Sequence, residues 1–110
     1  MSHEINDQKW KKIYSFLLSH PGVYAGNEEK TRLFIDAIYW MTRSGAQWRR
    51  IPEKFGHWNT IYRKFCRWSD RGVWDDMMIF FAKDPDLEYL MVDSTTIRAH
   101  HSAAGAEKKR

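Results

Sequence analysis

The sequence predicts a mainly α fold: a small helical domain with a helix-turn-helix-type segment, followed by the start of an extended region. Three observations predict it. Apolar residues recur at helical spacing from Trp10 to Phe81. The turn formers His20-Pro21-Gly22, Ser44-Gly45, Gly56 and Asp70-Arg71-Gly72 divide that stretch into short helices. After Asp84-Pro85-Asp86 the pattern changes to an apolar run, Leu87-Glu88-Tyr89-Leu90-Met91-Val92, which reads as a strand ending at Asp93. The 110 residues suffice for one modest domain, and 43% hydrophobic with 15% aromatic content supports a packed core rather than disorder.

The elements follow in order. Asn6 or Asp7 can cap a first helix running to Ser19, with Trp10, Ile13, Tyr14, Leu17 and Leu18 as its apolar stripe. Asn27 caps a second helix whose first turn holds Glu28 and Glu29, where the helix dipole favours acids. Its buried face is expected to be Leu33, Phe34, Ala37, Ile38 and Met41, with Ser44-Gly45 closing it. Pro52 suits the first position of a short helical turn, and Gly56 suits its tight stop. A third helix runs from Asn59 or Thr60 to Ser69, and a fourth from Val73 to Ala82. Thr95, Thr96 and Ile97 can carry a second extended piece, and 102–110 read as a disordered basic tail.

Composition excludes several classes. No stretch approaches the roughly eighteen apolar residues of a membrane span, and Met1-Ser2-His3-Glu4 lacks the regions of a signal peptide. The single cysteine, Cys66, rules out an internal disulfide and suits a reducing cytoplasm, and no motif supports it as a catalytic thiol. His57, His100 and His101 lack the spacing of a zinc site.

Charge is unevenly placed. Eight basic residues between Arg43 and Arg71 face only Glu53 and Asp70, a net of +6; from Gly72 to Asp93 one lysine faces six acids, a net of −5. A basic block followed by an acidic one suggests a polyanion-binding part joined to something different.

Within the basic block, Ile61, Phe65 and Trp68 follow i, i+4, i+7 and face a core, while Thr60, Arg63, Lys64 and Arg67 gather opposite. A short helix, Gly56 and then this helix is the layout of a helix-turn-helix reader, and its cationic face suits a major groove. An amphipathic surface helix with no ligand satisfies the same spacing. Arg49 and Arg50 extend the basic character beside Trp48; Trp48 and Trp58 could stack on bases, though plugging a small core is the favoured reading.

Asp93 ends an apolar run, a common place for a divalent metal ligand, yet one carboxylate is at most half of a magnesium site, and read alone a cap or turn residue is the favoured reading. One or two strands cannot form a stable sheet, so the sequence looks unfinished after it.

Taken together these residues resemble the insertion-sequence five family of bacterial transposases, in the subgroup with the insertion-element-402-like N-terminal domain. The likeness is carried by Asp7-Gln8-Lys9-Trp10, by Ile38 through Arg49, by Ile51 through Phe65, by Gly72-Val73-Trp74, and by Met91-Val92-Asp93-Ser94-Thr95-Thr96-Ile97-Arg98-Ala99-His100.

The resemblance implies a helical DNA-binding domain over 1–83 and, over 84–110, the loosely held start of a truncated ribonuclease-H-like α/β catalytic domain. It implies that Asp93 is the first of three catalytic acids and a magnesium ligand. Because the other two acids are absent, Mg2+ is expected only in the complete transposase, and this chain alone is expected to be inactive. The implied partner is double-stranded DNA at the element's inverted repeats, with a homo-oligomer left open and no membrane. The ending Glu107-Lys108-Lys109-Arg110 fits a frame joined to a second by ribosomal frameshifting, or a truncated copy. A stand-alone DNA-binding inhibitor of transposition and a helical protein-interaction module are the competing functions.

Overall fold

A computed structural model describes residues 5–88, and these form four α-helices: α1 (Asp7–Ser19), α2 (Glu28–Ser44), α3 (Trp58–Asp70) and α4 (Val73–Lys83). Two short 3-10 turns, Trp48–Arg50 and Glu53–Phe55, join α2 to α3. No strand occurs among the described residues.

The local signals place the helix ends. The Asn6 side chain accepts the Lys9 N–H at 2.9 Å, and Asn27 accepts that of Lys30 at 3.0 Å, each satisfying a donor that a helix start leaves orphaned. Gly45 stops α2 in the left-handed region at φ 69°, its N–H donating to Met41 O at 2.9 Å. Gly72, at φ 72°, makes the tight corner between α3 and α4. The Glu53–Phe55 turn stops at Gly56, as expected, but Pro52 caps it from outside rather than taking its first position.

The α1 stripe buries Trp10, Ile13 and Leu17, while Leu18 stays exposed. On α2 the buried band is wider than the expected stripe. Leu33 is only half-buried, whereas Thr31, Ile35, Asp36 and Thr42 join Phe34, Ala37, Ile38 and Met41 inside. The reason is position: α2 packs on α1 along one side and on the Glu53–Phe55 turn and α3 along others, so more than one face is covered. On α3 the buried residues are Ile61, Phe65, Trp68 and Ser69.

Trp74 of α4 is the hub of the core. Its ring lies 5.1 Å from that of Phe65, 5.2 Å from Trp68 and 6.0 Å from Phe34, and its indole N–H donates to the Phe65 carbonyl at 3.1 Å. That single bond removes the cost of burying the indole nitrogen. Trp10 solves the same problem by donating to Glu28 Oε2 at 2.9 Å.

The segment after α4 corrects one expectation. The strand expected from Leu87 starts instead as a turn, in which Leu87 N–H donates to Asp84 O at 2.9 Å. Residues 84–87 pack against the helices: Leu87 is fully buried in the core, and Lys12 of α1 meets Asp84 at 3.1 Å and Asp86 at 2.7 Å. The rest of the expected strand, Thr95–Ile97, Asp93 and the basic tail lie outside the described residues.

Candidate nucleic-acid interface

Packing fixes where the basic residues of 49–67 stand. The Trp48 ring meets Tyr62 edge-on at 5.1 Å and lies 4.9 Å from Phe65, which docks the Trp48–Arg50 turn along α3. Trp48 is therefore a packing residue, as the core reading expects. Arg49, next in sequence, lays its guanidinium 5.1 Å from the ring centroid of Trp58, the first residue of α3. A cation over an indole face is held electrostatically and keeps its outer N–H groups available. Arg50 is exposed beside it. Trp58 itself is half-buried, so one part packs inward and one part carries the arginine.

Along α3, Thr60, Arg63 and Arg67 are exposed and share one face, at i, i+3 and i+7. Lys64, expected with them, takes a different place. It sits on the border between that face and the Ile61–Trp68 stripe, half-buried, with its ammonium 4.9 Å from the Phe34 ring centroid and 5.6 Å from that of Trp68. Burial lowers its pKa below the ordinary lysine value of 10.5, and the neighbouring charges of Arg67 and Lys30 push the same way. Among the described residues, no carboxylate lies within ion-pair distance of Arg49, Arg50, Arg63, Lys64 or Arg67. The structure thus gathers every sequence-predicted basic residue on or beside α3, and leaves Asp93 outside the described residues.

Lys30 is the neighbour that sequence reasoning missed. It belongs to a stretch, 1–42, whose charges balance, and only the packing of Phe34 on Trp68, at 4.9 Å, brings its helix alongside α3. No linear signal marks it.

Residues 5–78 match the model of a family described as "Putative transposase of IS4/5 family (DUF4096)". The chain belongs to the IS4/5 transposase family. The matched stretch of this transposase-family chain includes α1, α2, α3 and the start of α4, and with them all the basic residues described above. A similar protein from Sinorhizobium fredii (strain NBRC 101917 / NGR234), the uncharacterized protein y4sN, is 41% identical over 106 residues, which make up 96% of this chain and 85% of that one. No solved structure matches. No helix among the described residues of the transposase-family chain is long and apolar enough to cross a membrane.

Proposed function

We propose that this chain is the DNA-binding, N-terminal part of a bacterial insertion-sequence transposase, and that α3 engages the terminal inverted repeats of its element. One observation carries the reading. Arg63 and Arg67 stand exposed one turn apart on α3, with Arg49 and Arg50 on the turn docked beside its first residue, and no carboxylate neutralises them among the described residues. Such a strip suits a polyanion, and a duplex major groove, about 12 Å wide, accepts a helix bearing it. Membership of a transposase family supports DNA as the polyanion.

Asp93 enters this reading as the first acid of the complete enzyme's triad, with magnesium bound only when the remaining acids are supplied. The described residues bring together no group of three or more His, Cys, Asp or Glu that could hold a metal. Recognition is the task this reading assigns to α3 and the turn before it.

The test is a binding titration of a labelled duplex carrying the element's terminal repeat, at several salt concentrations. The expected result is log-linear weakening with salt, and loss of specific binding by the double variant R63E/R67E with an unchanged melting temperature. The same duplex, left with the chain and Mg2+, is expected to stay uncut. Unaltered binding by R63E/R67E removes the proposal.

A further inference from the structure

The seam between α2 and α3 holds three cations with no carboxylate within ion-pair distance among the described residues. The Lys64 ammonium is suspended over the rings of Phe34 on α2 and Trp68 on α3, half withdrawn from water. Arg67 follows at i+3 on α3. Lys30 stands on α2 one turn before Phe34, close enough for its charge to oppose that of Lys64. Two other cations near the helix packing are matched: Lys12 has Asp84 and Asp86, and Arg32 has Asp7 at 2.8 Å. Among the described residues, Lys30, Lys64 and Arg67 have no carboxylate within ion-pair distance. Glu28, in the same turn as Lys30, is engaged by the Trp10 indole on the α1 side.

Lys30 is also badly placed for its own helix. It lies in the first turn of α2, where the dipole is positive and a cation is unfavourable. Mutual repulsion, partial desolvation and an opposed dipole each cost stability, and the ring contacts of Lys64 are the internal contacts set against them. Residues that weaken a fold in this way are characteristic of functional surfaces. Aromatic rings beneath Lys64 limit where its ammonium can go, so its N–H donors are held ready at a fixed depth in the seam.

We propose that Lys30, Lys64 and Arg67 form a phosphate clamp at the α2–α3 seam, gripping one backbone strand of the duplex beside the face that carries Arg63. The inference rests on the DNA-binding reading above and deepens it: the footprint extends from α3 onto α2, and the clamp contributes affinity and register while the α3 face supplies discrimination.

The experiment uses the full 110-residue chain, a labelled duplex bearing the terminal repeat, a scrambled duplex of equal length, and the variants K30Q, K64M and R63E. Loss of one phosphate contact lowers the salt slope by about 0.9, equivalent to about eightfold weaker binding at 0.1 M salt. K30Q and K64M are each expected to show that loss equally on both duplexes. K64M is also expected to melt higher than the wild type without DNA, with the gain shrinking as salt is added. R63E is expected to weaken the repeat duplex more than the scrambled one. Should K30Q and K64M keep the wild-type slope while R63E loses the repeat, the clamp is wrong and the DNA-binding reading stands. Should all three bind as wild type, the reading itself fails. A lower melting temperature for K64M with an intact slope for both lysine variants assigns Lys64 to packing and also overturns the clamp.

Discussion

At Lys64 the chain keeps a charge half inside the protein, above two aromatic rings and next to Arg67 and Lys30. The direction of its pKa shift turns that placement into a stability statement. An unfolded lysine titrates at 10.5, and burial, followed by the two neighbouring cations, lowers the folded value. Between the two values the unfolded chain holds more protons than the folded one, so this residue's contribution to stability improves as pH rises through that window. Below it, the cost of the buried charge is present in full. Urea melts of the wild type and K64M are therefore expected to differ most near neutral pH, with K64M the more stable, and to converge as pH approaches 10.5. A gap independent of pH contradicts the assignment. Arg63 and Arg67 differ in kind: both are exposed, and helical spacing alone places them on the outward face of α3.

Helix ends are the features most directly written in local sequence here. Asn6, Asn27 and Gly45 act at the positions their chemistry predicts, because a cap involves only atoms three or four residues away. Gly45 gives a clean test. A Cβ added there meets nothing within 4 Å, so an alanine is penalised only by the left-handed backbone at φ 69°. G45A is expected to destabilise the protein by roughly 1–2 kcal/mol in urea denaturation. N27A, which removes one capping bond, is expected to cost about 1 kcal/mol. A neutral G45A would mean that the α2 ending relaxes to another conformation. The faces of the helices are less local than their ends. The stripe on α3 follows its periodicity, since one side of that helix is covered, but α2 is covered on several sides and buries residues such as Ile35 and Thr42 that a single stripe omits.

Across the whole molecule, the core is closed from two places. Trp74 collects Phe34, Phe65 and Trp68 into one aromatic centre, and Leu87 closes the core from beyond α4 while Lys12 holds Asp84 and Asp86. The exposed Lys12–Asp86 pair contributes little by itself, so the burial of Leu87 is the contact to test. L87A is expected to lower stability by about 2–5 kcal/mol, read as a reduced urea midpoint with an unchanged slope. A loss within half a kcal/mol, about the scatter of surface substitutions, means the segment after α4 lies on the helical body without supporting it.

Local chemistry alone determined the helix count, the caps and turns, the outward arginines of α3 and the family likeness, because each depends on residues within one or two turns of each other or on short ordered motifs. Tertiary packing alone decided that Lys64 turns into a seam, that Lys30 joins it, and that Leu87 belongs to the core. Those outcomes depend on which helices touch, and the contact between Phe34 and Trp68, thirty-four positions apart in the chain, is set by how aromatic surfaces are hidden from water rather than by any neighbour in sequence.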